Sequence, residues 1–228
     1  MRSLKNGLFG IVCMISLFTS GQSDTHLQFV PTWQGKPFTS AFPLNGMDSI
    51  SVTEFQFYVH SINLEYDGQV VWSSGDQHYL VDGMEKNGNT IPLDIPKNTA
   101  FDVVSFAIGV DSTLQTSGAH SGTLDPIHGM YWTWQSGYIA WKLEAEIKRA
   151  SNTEKIQWHV GGYRAPYQSE RMVRMKIIGD EITFRCGIEF EKLLGDGRFS
   201  QPMSVMSPSE AAIQMADRFT ACFYWLPQ

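Results

Sequence analysis

Beyond residue 23 the chain carries six histidines, His26, His60, His78, His120, His128 and His159. Neutral imidazole binds metals near pH 7 and exchanges protons there. The spacing of these residues excludes several familiar chemistries. There is no HExxH, CxxC or HxH, so zinc-finger and zincin sites have no support. There is no GxSxG and no phosphate-binding loop. No Ser–His–Asp set or pair of glycosidase carboxylates is marked by local pattern. Two histidines on strand-like runs stand out. His60 lies at a break in the alternation of "TEFQFYVHSINLEY" (53–66), and His159 lies on the polar phase of "IQWHVGG" (156–162). Imidazoles on two strands can form a two- or three-coordinate copper site. The plainer reading, a surface or hydrogen-bonded histidine on a strand, stays open for each. His120 and His128 sit in or beside a polar loop and read as solvated. His26 and His78 read as surface residues.

A second cluster is aromatic. "HGMYWTWQSGY" (128–138) packs two Trp and two Tyr into eleven residues. Trp132 and Trp134 share a strand face, which suits core packing. A stacking platform for sugar rings and a redox-active Trp beside a metal are the other readings.

The elements that must hold these residues are mostly strands. In 53–66, Phe55, Phe57 and Val59 share one phase and Ile62, Leu64 and Tyr66 the other. The slip at His60–Ser61 marks a β-bulge, a device that re-aims side chains beside sites. "FDVVSFAIGV" (101–110) slips in the same way at Val103–Val104. Cleaner alternation runs through Ile139, Trp141, Leu143, Ala145 and Ile147, through Ile156, Trp158 and Val160, and through Ile182, Phe184, Cys186, Ile188 and Phe190. Asp67-Gly68, Asn87-Gly88, Gly161-Gly162 and Gly179-Asp180 supply turns. Ser112–Pro126 is a long polar loop. One helix is convincing: Ser207-Pro-Ser-Glu210 reads as a capping box with Pro at the first helical position, followed by a stripe of Ala212, Met215, Ala216, Phe219 and Phe223. About eight strands and one terminal helix predict an all-β fold, an antiparallel β-sandwich with one C-terminal α-helix.

Residues 1–23 read as a signal peptide: Arg2 and Lys5, an apolar run over Gly7–Thr19 too short to span a bilayer, then small residues near Gly21 and Ser23. Residues 24–228 form the mature domain. Loss of Arg2 and Lys5 takes the formal charge from −6 to −8. That sign argues against nucleic acid and anionic membrane surfaces as partners. Cys13 follows "GIV", a poor lipobox, which favours a soluble export product. In an oxidising compartment Cys186 and Cys222 read as a disulfide stapling the last helix to the sheets.

Five segments in order carry a resemblance: "FQFYVHSINL" (55–64), "IGVDS" (108–112), "SGAHSGTLDPIHGMYWTWQSGYIAWKLE" (117–144), "WHVGG" (158–162) and "SVMSPSEAAIQMADRF" (204–219). The chain resembles the MbnP-like family of exported copper-binding β-sandwich proteins associated with methanobactin operons. The resemblance implies a periplasmic or secreted protein whose cofactor or cargo is copper. It places family histidines at His60 and His159. His120 stands where the family usually has Gln, which suggests a third ligand in this branch. The family also implies a Trp oxidised to kynurenine by a diheme cytochrome c peroxidase partner of the MbnH type. Trp132 and Trp134 match the family's WxW, with Trp72 and Trp158 as further candidates. A non-enzymatic protein of copper acquisition or storage is the leading expectation. The alternative is a metal-free exported module for glycan or protein ligands.

Overall fold

A computed structural model describes residues 22–44, 48–85, 87–133, 135–178, 183–195 and 202–227. Residues 1–21 with Cys13, the Gly179-Asp180 turn and Trp134 lie outside the described residues, while Gln22 and Ser23 of the expected signal peptide open the first strand. The strands are Gln22–Trp33 (β1), Lys36–Pro37 (β2), Ala41–Pro43 (β3), Ser49–Tyr66 (β4) and Gln69–Ser73 (β5). His78–Asp82 (β6), Thr90–Pro96 (β7), Val103–Ile108 (β8), Tyr131–Thr133 (β9) and Gly137–Lys148 (β10) follow. Thr153–Gly161 (β11), Arg171–Lys176 (β12), Thr183–Glu189 (β13), Ser204–Val205 (β14) and Phe223–Trp225 (β15) complete them. The helices are Ser112–Thr116 (α1), Phe190–Leu194 (α2) and Glu210–Thr220 (α3).

Two sheets face each other. The smaller runs β15-β13-β1-β2, with β7 also on β1. The larger runs β12-β8-β4-β10-β11-β14. Its spine is β4, an 18-residue strand that exchanges neighbours along its length. At Gln56 it is flanked by β10 and β6, and at His60 by β8 and β6. The sandwich is antiparallel except for the β1–β13 and β11–β14 pairs.

Alternation explains the core. Phe55 and Phe57 of β4, Trp141 and Leu143 of β10 and Trp158 of β11 all point inward and are fully buried. Phe29 of β1 meets the rings of Phe57 at 5.2 Å and Phe106 at 5.4 Å, both edge to face, the arrangement aromatic quadrupoles prefer. Helix α3 joins this core through Phe219, whose ring lies 4.7 Å from Trp141. Phe219→Ala would cost about 3–5 kcal/mol.

The bulge expected at His60–Ser61 is present. The β4–β8 register shifts between His60 and Asn63, and Ser61 holds φ of 49°. Because of that shift, Ile62 and Leu64 enter the core while His60 keeps the outer face.

Four expectations need correction. The pattern around Val103–Val104 is not a bulge: all six residues of β8 are buried, and its register with β12 is continuous. Burial on both faces removes the alternation that the slip relied on. The cap of α3 is Ser209, whose side chain accepts from the Ala212 N–H; Ser207 and Pro208 precede the helix. The helical stripe ends at Phe219, and Phe223 opens β15. Cys186 and Cys222 are free and buried, with no disulfide between them. Cys186 pairs with Trp225 across β13–β15, which puts Cys222 three residues further along, about 10 Å at strand rise and beyond the reach of an S–S bridge. Cys186 Sγ instead contacts Met175 Sδ at 3.8 Å, and Cys222 Sγ donates to the Arg218 carbonyl at 3.3 Å.

The long polar segment after β8 is ordered by its own small core. Tyr58, Val110, Leu124, Met130, Tyr138 and Ile139 cluster on the outer face of the large sheet. Buried Gln115 holds the segment down, donating to Val110 O at 3.1 Å and accepting from Tyr138 N at 2.8 Å.

Candidate metal-binding site

The bulge aims His60 at a partner. Directly across β4–β6, His60 pairs with His78. Their rings stack with centroids 4.5 Å apart and planes 15° apart. Both are buried, at 4% and 8% exposure, on the face that a solvated strand histidine would leave open.

Two segments provide the cover. Gly109, at φ 120°, turns the chain out of β8 and carries Val110 and Asp111 over the pair. The segment before β12 brings in Glu170, whose Cα lies 3.5 Å from where a Gly109 Cβ would stand. Asp111 Oδ2 then sits 3.4 Å from His78 Nε2, and Glu170 Oε1 sits 3.3 Å from His60 Nε2.

The nitrogens are not equivalent. His78 Nδ1 lies 3.0 Å from the Asp76 carbonyl, which can only accept. Nδ1 is therefore the protonated nitrogen of the neutral ring, and the lone pair is on Nε2. His60 Nδ1 meets the Ser61 hydroxyl at 3.0 Å. Both Nε2 atoms are buried without a hydrogen-bond partner, although each has a carboxylate oxygen within ion-pair distance. A lone pair facing a carboxylate oxygen puts two acceptors together. A proton or a metal cation between them would relieve this. Two donors about 2.1 Å from one metal at a tetrahedral angle stand about 3.4 Å apart, close to both spacings. Burial, then the neighbouring His60, lowers the His78 pKa, which keeps its lone pair free near neutrality. Among the described residues no group of three or more His, Cys, Asp and Glu forms a ready-made cage. The arrangement is an imidazole pair with a carboxylate beside each nitrogen.

The profile of the MbnP family matches residues 22–207. The chain belongs to the MbnP family. Among solved structures, MbnP from Methylosinus trichosporium shares the fold, with 15% identity, a TM-score of 0.56 and coverage of 82% of this chain and 81% of that one. No curated protein is significantly similar in sequence.

Within this MbnP fold the histidines named from sequence separate. His159 is level with Lys142 on β10, which is level with Gln56 on β4. His60 lies four residues beyond and two strands across, about 13 Å along and 10 Å sideways. His159 Nε2 instead meets Glu144 Oε1 at 2.8 Å. The same patch holds Lys142, bonded to Glu54 at 2.7 Å. His120 Nε2 lies 2.8 Å from Ser117 Oγ and 3.1 Å from Leu114 O, and its ring stacks on Tyr138. His128 bonds the Gly122 carbonyl. His60 therefore keeps its place in the candidate site, and His159 and His120 stand apart from it.

His78 is the residue sequence reading missed. Its weak signal is the phase shared by His78, Leu80 and Asp82, with Leu80 packing on the outer-face cluster. Of the aromatics, Trp132 packs against that cluster with a buried Nε1 that lacks a hydrogen-bond partner. Trp72 donates to Asp94 O and Trp158 to Pro202 O.

Proposed function

We propose that this MbnP-family protein is an exported, non-enzymatic copper carrier that binds one copper ion through His60 and His78 for acquisition or storage. The observation that carries this reading is the stacked, buried pair with both Nε2 atoms unpartnered. Imidazole nitrogens suit copper, and the two rings must turn out of their stack for both Nε2 lone pairs to reach one ion. The Asp76 carbonyl fixes the His78 tautomer, the usual support for a ligating imidazole. Asp111 and Glu170 balance the charge of the bound cation and can swing to complete its coordination. Export is read from the amino-terminal segment and the family resemblance. In the same reading, Trp132 or Trp134 is matured by a diheme cytochrome c peroxidase partner.

The test is equilibrium dialysis of the mature chain against Cu(I) under reductant. One copper per chain is expected, and the His60→Ala/His78→Ala double variant should retain none. Full binding by that variant would reject the site. No binding by the native chain would leave the metal-free alternative, with Tyr131 and Trp132 as its contact surface. Peptide mass analysis of protein taken from its native host tests the maturation.

A further inference from the structure

A row of residues leads from solvent to the histidine pair. Met172 on β12 pairs with Ala107 on β8, and Ala107 pairs with His60 on β4. In-register neighbours share a face, so Met172, Ala107, His60 and His78 form one line across four strands of the outer face. Met172 is 58% exposed, so its sulfur is open to ions arriving from solvent. Ala107, with only a methyl group, is 1% exposed, so the ground between Met172 and His60 is small in side-chain bulk and covered from solvent.

Met172 also lines a cavity of about 440 Å³, together with Ser112 and Glu170. Glu170 joins this cavity to the pair, because it lines the cavity and its Oε1 lies 3.3 Å from His60 Nε2. The lining is chemically divided. Glu170 and Gln168 present hard oxygen donors, and Arg171 is committed to Asp217 at 2.5 Å. Met172 provides the one sulfur among the described lining residues. A thioether prefers Cu(I) to harder cations, needs no deprotonation and exchanges ligands readily.

Building on the copper reading above, we propose that Met172 is the entry ligand: it captures Cu(I) at the cavity mouth and passes it beneath Glu170 to His60 and His78. The ion keeps its charge and oxidation state throughout. The thioether lets go as the imidazole nitrogens bind, and no proton is required from Met172. At about two strand spacings, or 10 Å, from the His60 backbone, Met172 is suited to transfer and does not belong to the final ligand set.

The test follows Cu(I) delivery from a chromophoric chelator to the full mature chain by stopped flow. Met172→Leu preserves volume and removes the sulfur. It should keep the stoichiometry and final affinity while loading about tenfold more slowly, the scale of an outer ligand's effect. A second readout is the methyl resonance of Met172, which should shift on addition of Cu(I) even in the His60→Ala/His78→Ala variant. An unchanged loading rate in Met172→Leu, or an unmoved methyl signal in the double variant, overturns the proposal and leaves the histidine site intact. A large loss of final affinity in Met172→Leu would also overturn it, by making Met172 a resident ligand. No copper uptake by the native chain would defeat the function itself.

Discussion

The outer face of the large sheet carries two histidine regions with opposite chemistry. At His159 the charged groups are paired: Glu144 meets the imidazole at 2.8 Å and Glu54 meets Lys142 at 2.7 Å. At His60 and His78 two buried nitrogens have none. Both regions are about equally shielded, so burial alone does not separate them. The difference is where the charges sit. Around His159 a lysine supplies the cation, and the carboxylates are paired within the protein. Around His60 and His78 two carboxylates face two imidazoles with no Lys or Arg in the pairing, so the arrangement gains from a cation brought from outside. Satisfied networks stabilise a fold, and unsatisfied buried groups mark ligand sites.

The sharpest way to break this comparison is copper binding itself. His60→Ala with His78→Ala should lose stoichiometric copper, and His159→Ala should keep it, by isothermal titration under reductant. The reverse pattern would exchange the roles of the two regions. Next in size is stability. Lys142→Ala leaves the Glu54 and Glu144 carboxylates without their lysine and should cost about 1–3 kcal/mol in denaturant melts. His60→Phe retains a ring, removes an unpartnered nitrogen and should change stability by less than about 1 kcal/mol. Equal losses in the two variants would remove the distinction.

Acidity probes the same contrast more gently. The folded-state pKa of His78 is lowered from 6.5. Below 6.5 the unfolded chain therefore binds the proton more readily than the folded chain. Stability contributed by neutral His78 is present above 6.5 and is lost as pH falls through the lowered folded value. The denaturation midpoint should fall on acidification more steeply in the native chain than in His78→Phe. Protons also compete with copper for His78 Nε2, so apparent affinity should fall over the same range. The smallest expected effect is zero. Reductant should leave the melting temperature unchanged, because Cys186 and Cys222 are free. Burial pushes the Cys222 thiol up to about 12, so alkylation of either cysteine should await unfolding.

Much of the frame was legible in the chain. The alternation of Trp141 to Ile147 and of Ile156 to Val160 assigned the inner face correctly, whereas Ile139, expected on that face, lies beyond a register shift and joins the outer-face cluster. The phase slip located the bulge at His60–Ser61, and the stripe through Ala212, Met215, Ala216 and Phe219 located the helix. Where two faces are buried, as in β8, alternation disappears and the slip misled. The cysteine pair misled for another reason: a shared compartment suggests oxidation, but strand register sets the distance between two sulfurs. His78 looked like a surface residue because nothing near it in sequence covers it. Its cover comes from Asp111 and Glu170, which lie 33 and 92 residues downstream.

Local sequence determined the period-two strands, the bulge that keeps His60 on the outer face, the terminal helix and membership of an aromatic-rich sandwich family. Backbone periodicity and turn chemistry act within a few residues, so one chain is enough to read them. The partner of His60 was decided only in three dimensions. Whether it meets His78 or His159 depends on which strand lies beside β4 at that level. That choice comes from register and long-range closure of the sheet, to which local pattern is blind.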